Sequence, residues 1–238
     1  ICWSLVGSGD VYKRQLQKHV DLSPIVKGDL KHVLLSASGD VLVAANKKGE
    51  VFYYKKQKQG FILKQQFAPF AGFENASIAK MGFVFGDMSL AISSITGEQQ
   101  VFSLFRQPGE KEFSFGLTKT FENLPTGAQT FSASLRNKSF LFTSDHHASL
   151  SYSTTAATRW QQKLDFTPIF SAINAKHNTM FFLDEKSQLH AYALNDPHPE
   201  SGLQSLFSKV WYEGFSEPTY SWQSTGGSDD FEPKLSLV

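Results

Sequence analysis

The residues best suited to metal chemistry are a run of one acid and two histidines near the middle of the chain. Asp145, His146 and His147 are consecutive, and carboxylate and imidazole are both ligands that zinc accepts. Neighbouring residues on a strand or turn point to different faces, so they rarely chelate one ion together. We therefore interpret this run as a polar turn between two strands, and we predict no metal and no other cofactor.

A pair of acids near the end of the chain has a spacing that suits acid–base chemistry. Asp230 and Glu232 stand two residues apart, which places both on one face of an extended segment. Paired carboxylates catalyse proton transfer only in a shaped, partly buried pocket. The surrounding sequence is rich in glycine, serine and proline, so we interpret these acids as solvated or paired with Lys234.

Other signatures of catalysis are missing from the sequence. It contains neither the GxxxxGK[ST] phosphate loop nor the G-x-S-x-G nucleophile elbow. The sequence therefore predicts a protein that is not an enzyme.

A lysine-rich stretch over residues 47–64 has two interpretations. It holds six lysines against one glutamate: Lys47, Lys48, Lys55, Lys56, Lys58 and Lys64 against Glu50. Such a stretch can form a basic patch for anionic lipid headgroups, or it can steer an anionic ligand. The favoured interpretation is simpler, namely solvated strand edges on which lysines prevent edge-to-edge pairing.

Composition narrows the protein class. The chain has 238 residues, of which 41% are hydrophobic and 19% charged, so intrinsic disorder is not expected. The formal net charge of +1 argues against a dedicated nucleic-acid binder. The single cysteine, Cys2, excludes an internal disulfide framework. No apolar run approaches the ~18 residues of a membrane helix. The 22 phenylalanines favour strands.

A pattern of three short strands separated by polar turns recurs four times. Its third strand opens at Val51, Val101, Leu150 and Leu189, which are 50, 49 and 39 residues apart. A weaker fourth strand follows three of the units, and a possible fourth strand follows the last. This period is typical of propeller blades. The sequence therefore predicts an all-β, β-propeller-like fold with about four blades, near residues 30–67, 78–121, 130–166 and 169–209.

The predicted blades belong to a larger ring. A four-stranded blade cannot bury both faces alone, and four blades are at the lower limit of ring size. Residues 16–22 look like the last strand of a preceding blade, so we place the propeller-like domain at residues 16–209. A complete small propeller and a β-sandwich stay open as alternatives. Residues 1–15 resemble a translated sequencing adapter, and we predict that they are a non-native leader.

The end of the chain differs from the repeats. Residues 196–238 hold seven acids and two bases, whereas the rest of the chain carries a net charge of +6. Gly, Ser and Pro are concentrated there as well, which is typical of an extended connector. We assign this connector to residues 210–238.

The connector carries a family resemblance. Residues 210–224 resemble a segment of phosphate ABC-transporter permeases, the PstC-like proteins of Gram-negative bacteria, and so do residues 229–238. In that family these motifs lie just ahead of the transmembrane core and follow a large extracytoplasmic β-rich domain. The matching residues, which we regard as interaction candidates, are Trp211, Tyr212, Glu213, Gly214, Trp222, Asp229, Asp230, Phe231, Glu232, Pro233 and Lys234.

The resemblance implies a function in ATP-driven phosphate import. The chain would be a non-catalytic, extracytoplasmic part of a permease subunit at the periplasmic face of the bacterial inner membrane. Its connector would lead to a transmembrane permease domain that the chain lacks, and the membrane would be reached through flanking helices. The implied partners are a second permease subunit, an ATPase subunit and a periplasmic phosphate-binding protein, with no nucleic acid. The alternative is a periplasmic scaffold or interaction propeller.

Overall fold

Strands account for nearly all the regular structure of the chain. The computed structural model describes residues 29–58, 60–72, 77–106, 108–109, 111–121, 126–197, 202–210, 220–222 and 235–237. Within these ranges there are eighteen strands and one short 3-10 helix, Gly86–Met88. Sixteen of the strands form four antiparallel sheets of four strands each, and in every sheet the strands pair in chain order.

The first two sheets occupy the first half of the chain. The strands of the first sheet are β1 (Leu30–Leu35), β2 (Val41–Asn46), β3 (Val51–Gln57) and β4 (Gly60–Phe67). The strands of the second sheet are β5 (Ile78–Val84), β6 (Ser89–Ser94), β7 (Gln99–Phe105) and β8 (Ser114–Phe121).

The third and fourth sheets follow the same plan. The strands of the third sheet are β9 (Thr130–Ser134), β10 (Ser139–Ser144), β11 (His147–Tyr152) and β12 (Thr158–Lys163). The strands of the fourth sheet are β13 (Pro168–Asn174), β14 (Thr179–Asp184), β15 (Gln188–Ala193) and β16 (Ser205–Val210). Two short strands, β17 (Tyr220–Trp222) and β18 (Leu235–Leu237), pair with each other.

The second strand of each sheet is the most buried one. Every residue of β2, β6 and β10 is buried, and in β14 only Phe181 is partly accessible. Side chains alternate between the two faces of a strand, so burial along the whole strand means that both faces are covered. This explains why these segments are apolar or carry small hydroxyl residues at almost every position.

Apolar layers fill the spaces between consecutive sheets. Val43 and Tyr53 of the first sheet pack with Ile78 and Leu90 of the second. The remaining layers join the second sheet to the third and the third to the fourth. Phe140 is central to the middle layer, where its ring centroid lies 5.0 Å from that of Phe121 and 5.1 Å from that of Phe85. The abundance of phenylalanine thus reflects packing between sheets.

The first strands of neighbouring sheets lie side by side and are joined by side chains. Lys31 Nζ donates to the carbonyl of Ile78 at 2.6 Å, and His32 Nε2 lies 3.3 Å from the same oxygen. Burial lowers the pKa of His32, although that hydrogen bond favours the protonated ring. Further on, the hydroxyls of Thr130 and Ser171 are 2.5 Å apart. The sheets are therefore arranged with their first strands innermost.

Two sets of turns define the ends of the sheets. The inner turns join the first strand to the second, at residues 36–40, 85–88, 135–138 and 175–178. The middle turns join the second strand to the third, at residues 47–50, 95–98, 145–146 and 185–187. Because consecutive strands are antiparallel, all inner turns lie at one end of the sheets and all middle turns at the other.

Candidate functional site

The run Asp145-His146-His147 lies where β10 turns into β11, in a middle turn. The carboxylate of Asp145 accepts hydrogen bonds from Thr126 Oγ1 at 2.9 Å and from Gln129 Nε2 at 3.1 Å. These bonds hold the connection before β9 against the turn. Across the ranges that the structure describes, no three His, Cys, Asp or Glu side chains are grouped so that they could hold a metal ion.

The lysine-rich stretch does not form one basic surface. Its members are spread from a middle turn, through β3 and β4, to the opposite end of the first sheet. Lys47 Nζ is 2.9 Å from Asp29 Oδ2, and Lys64 Nζ is 3.0 Å from Glu112 Oε1. Lys55 Nζ lies 5.8 Å from the ring centroid of Phe113. The positive charge of the stretch is therefore dispersed and partly paired.

Three of the four middle turns share a cap that the sequence analysis missed. In these three, the last residue of the second strand accepts hydrogen bonds from backbone N–H groups of the turn that follows it. Asn46 Oδ1 accepts from Lys48 and Glu50, each at 3.0 Å. Ser94 Oγ plays the same part for the turn after β6. The sequence signal for such a cap is a small polar residue at the end of the strand. The N–H groups that it binds belong to the second and fourth residues after it.

Glu98 strengthens the cap of the second sheet. Its carboxylate accepts hydrogen bonds from Ser94 Oγ and Thr96 Oγ1, and its side chain is largely buried. Burial alone would raise the pKa of Glu98, but the hydrogen bonds from Ser94, Thr96 and its own backbone N–H outweigh burial and lower it. Glu98 is therefore held in its charged form.

The fourth sheet contains an acid–imidazole–hydroxyl chain in which the acid and the imidazole are buried and the serine is exposed. Asp184 Oδ2 lies 3.0 Å from His190 Nε2, and Ser208 Oγ lies 3.2 Å from His190 Nδ1. Asp184 is 2% exposed and His190 8% exposed. The ring of His190 stacks on Phe166 with centroids 3.8 Å apart. This chain of hydrogen bonds links β14, β15 and β16.

The same three residue types form nucleophile–base–acid relays in hydrolases, so their surroundings decide what these can do. Asp184 also accepts from the backbone N–H groups of Lys186 at 2.9 Å and Gln188 at 2.8 Å, which makes it the cap of its turn. The Nε2 amide of Gln188 donates to Ser208 Oγ. The hydroxyl, imidazole and carboxylate are thus all engaged in fastening one turn and three strands.

The inner turns have caps of the same kind, and some of their residues also make contacts between sheets. The carboxylate of Asp87 accepts from the backbone N–H groups of Ala37 at 3.1 Å and Ser38 at 3.2 Å, which joins the first two sheets. Asn137 Nδ2 donates to Asn178 Oδ1 at 2.6 Å, which joins the last two. The inner turns therefore form a row at one end of the four sheets, and each of them carries exposed residues.

Nearly all the residues that carried the family resemblance lie outside the described part of the chain. These are Trp211, Tyr212, Glu213, Gly214, Asp229, Asp230, Phe231, Glu232, Pro233 and Lys234. Trp222 ends β17, where its backbone pairs with Leu235. Within the described ranges, no helix has the length and apolar character needed to cross a membrane.

Comparison with known proteins identifies similar structures but no similar sequences. No family model matches the chain, and no curated protein matches its sequence. Sqt1 of Saccharomyces cerevisiae is similar with a TM-score of 0.58 and 14% identity, over 76% of this chain and 50% of that one. The β-propeller domain of Cps50 (Swd1) of Myceliophteria thermophila is similar with a TM-score of 0.52 and 11% identity, over 66% of this chain and 48% of that one. The chain spans about half the length of each.

These comparisons overturn the predictions drawn from the family resemblance. Both similar structures are WD40 β-propeller proteins, and neither is part of a permease. The predicted permease family, phosphate-transport function, transporter partners and inner-membrane location are therefore wrong. The resemblance rested on the connector at residues 210–238, whereas the structural likeness covers most of the chain.

The fold prediction has the opposite outcome, because it rested on the repeated strands. The expected all-β, propeller-like class with about four blades is confirmed by four four-stranded sheets and by the propeller fold of both similar structures. At these sequence identities the likeness identifies the fold alone, and the chain has a β-propeller-like fold similar to that of these WD40 proteins.

Proposed function

We propose that this chain is a non-catalytic interaction module that presents the turns of its sheets to other proteins. WD40 propellers are typically non-catalytic scaffolds. The fold therefore supports the interaction propeller that the sequence analysis kept as its alternative.

One observation carries this proposal. Among the described residues, the buried acids and histidines are Glu98, Asp184 and His190. All three are hydrogen-bonded within their own sheet, and Glu98 lies in a different sheet from Asp184 and His190. A catalytic site needs ionisable groups that converge on one pocket with free hydrogen-bonding capacity. The buried acids and the buried histidine of the described residues hold turns and strands in place instead, which favours the exposed turn surfaces as the part of the chain that acts.

The proposal is tested by separating binding from hydrolysis. The purified chain is used to capture proteins from an extract of its source cells, and a captured protein is then purified and titrated by calorimetry. We expect saturable binding with defined stoichiometry. The same preparation is assayed for hydrolysis of p-nitrophenyl acetate, with Ser208→Ala as the test variant.

Ser205→Ala is the matched control, because Ser205 is exposed on the same strand without a bond to His190. We expect both variants and the unmodified chain to hydrolyse the ester at the background rate. Turnover that disappears in Ser208→Ala and persists in Ser205→Ala would overturn the proposal. It would show that the hydrogen-bonded Asp184, His190 and Ser208 of the fourth sheet form an active site.

We also infer that residues 16–209 form one propeller-like domain within a ring of more than four blades, followed by a connector at residues 210–238. Residues 1–28 and most of the connector lie outside the described part of the chain. The support is that the chain spans about half the length of each similar propeller protein. Residues 1–15 are a non-native leader in this proposal. Their removal should leave the melting temperature unchanged in calorimetry, and a large decrease would contradict the leader assignment.

A further inference from the structure

We propose that the inner turns of the third and fourth sheets form a docking surface for an acidic peptide segment that carries an apolar side chain. The surface consists of Leu135, Arg136, Lys138 and Lys176, with Met88 of the second sheet at its border. We call it the basic inner-turn surface. The inference rests on the proposed interaction function and specifies where it takes place and what it recognises.

The four inner turns have fixed positions relative to one another. Asp87 joins the first turn to the second, and Asn137 joins the third to the fourth. Between the second and third sheets, strands β5 and β9 approach so closely that a Cβ on Gly82 would lie 3.0 Å from the ring of Phe131. The side chains of these turns are therefore presented on a preorganised frame, which reduces the entropy lost on binding.

Two apolar side chains project from this row into solvent. Leu135 is 57% exposed and Met88 is 53% exposed, the two highest values among the large apolar residues of the described ranges. The strands on either side of the turn at 135–138 end in well-buried residues, Ser134 and Ser139. Leu135 is therefore accessible to an incoming apolar side chain.

The cations beside these residues have no acidic partners. Arg136, Lys138 and Lys176 are all exposed. The ion pairs found among the described residues involve other side chains. Two acids at the same end of the sheets are already engaged, since Asp87 accepts two backbone N–H groups and Asp196 pairs with Arg159 at 3.0 Å. Among the described residues, three positive charges without an ion-pair partner therefore lie in the same two inner turns as Leu135 or next to them.

This combination favours a peptide over a nucleic acid. Recognition of single strands normally uses aromatic side chains on which bases stack, whereas the basic inner-turn surface is made of a leucine, a methionine and three cations. The whole chain has a net charge of only +1. A peptide with carboxylates on either side of an apolar residue complements both the cations and Leu135.

Lys138 holds its position at a conformational cost. It has a φ of 50°, in the left-handed region, and Asn178 has a φ of 53° at the end of the next inner turn. Glycine adopts this conformation without strain. Lys138→Gly therefore removes the cation and keeps the shape of the turn, which makes it a variant that separates charge from structure.

The experiment measures fluorescence anisotropy of a labelled peptide of alternating glutamate and leucine. The comparison probes are a glutamine–leucine peptide, a lysine–leucine peptide and a single-stranded oligonucleotide. We expect that, of the four probes, only the acidic peptide binds saturably. Added salt should weaken this binding. Reversing the three charges with Arg136→Glu, Lys138→Glu and Lys176→Glu should weaken binding by about tenfold or more. Lys138→Gly and Leu135→Ser should each weaken it by a few-fold.

The matched control reverses three other exposed lysines, Lys48, Lys163 and Lys186, which lie toward the middle-turn end. This variant has the same net charge as the triple reversal and should keep the affinity of the unmodified chain. Equal affinity in the two triple variants, or no binding of the acidic peptide, would overturn the inference. Tighter binding of the oligonucleotide than of the peptide would also overturn it. A captured protein whose affinity is unaffected by the triple reversal would contradict this inference and leave the proposed function standing.

Discussion

The two ends of the sheets share turn-closing side chains and differ in the residues that join neighbouring sheets. At the middle-turn end, Asn46, Ser94 and Asp184 each close the turn that follows their own strand. At the inner-turn end, Asp87 and Asn137 reach to the neighbouring sheet. Ser36, Ser134 and Asn174 also close inner turns, so the inner-turn end combines turn caps with bonds between sheets.

The two ends of the sheets also differ in their charged residues. The buried acids Glu98 and Asp184 belong to middle turns, and their partners lie within the same sheet. The exposed cations Arg136, Lys138 and Lys176 belong to inner turns and have no acidic partner in the described ranges. Substitutions at the middle-turn end should thus change stability, and substitutions at the inner-turn end should change binding.

The largest effect is expected from Asp184→Ala. This change leaves His190 and two turn N–H groups without their buried acceptor, and breaking a buried pair of this kind costs about 3–5 kcal/mol. Asp196→Ala is the control, because Asp196 is 69% exposed in its pair with Arg159 and should contribute no more than about 1 kcal/mol. Chemical denaturation followed by circular dichroism measures both. Similar losses for the two variants would remove the contrast between the ends.

The next largest effect is expected from Gly127→Ala. A Cβ at Gly127 would lie 2.4 Å from the carbonyl oxygen of Ser94, a backbone atom that cannot move freely. Overpacking against such an atom costs about 1–3 kcal/mol. Gly116→Ala is the control, because its Cβ would meet only the ring of Phe105, a side chain that can turn aside. Thermal unfolding should show a clearly lower melting temperature for Gly127→Ala, and the reverse order would contradict the prediction.

A smaller, pH-dependent effect is expected from Glu98→Gln. Because the folded-state pKa of Glu98 is lowered below its ordinary value, its charged form stabilises the protein. That contribution is complete above the unfolded-state pKa of about 4.3 and is lost as the pH falls through the lower folded-state value. At neutral pH the variant should be less stable by about 1–2 kcal/mol.

The difference between Glu98→Gln and the unmodified chain should shrink below pH ~4. Urea titrations at a series of pH values measure it. A difference that stays constant down to the lowest pH at which the chain folds would show that Glu98 acts through shape and not through charge.

The smallest effect on stability is expected at the inner-turn end. Lys138→Gly relieves a left-handed backbone and gives the unfolded chain more freedom, so the two contributions nearly cancel and the net gain should not exceed about 1 kcal/mol. Arg136→Gly is the control, because Arg136 has no positive φ and glycine relieves no strain there. Only the loss of stability from the freer unfolded chain should appear. A large destabilisation by Lys138→Gly would show that this end is structural as well.

The fold was readable from the sequence because it depends on local repetition. The anchors Val51, Val101, Leu150 and Leu189 recur at nearly constant spacing, and each lies in the third strand of its sheet. The connector misled the functional prediction. Its aromatic and acidic residues resembled those of a permease, but a resemblance over residues 210–238 says little about the sheets that make up most of the chain.

The site was less predictable, because its parts are distant in sequence. Asp87 and Ala37 are fifty residues apart, and Asn137 and Asn178 forty-one. Only the stacking of sheets brings such pairs together. The lysine-rich stretch shows that residues close in sequence can lie far apart in the fold. Lys47 and Lys58 are only eleven residues apart and yet lie in turns at opposite ends of the first sheet.

By itself, the sequence determined the all-β class, the number of repeated units and the apolar character of the second strands. Strand periodicity and turn residues act over a few positions, so they can be recognised directly in the sequence. The tertiary structure decided which end of the sheets has its charges paired and which end leaves Arg136, Lys138 and Lys176 exposed. That outcome depends on the side of each sheet on which a turn emerges and on the neighbour it meets, which are properties of packed sheets and not of any single segment.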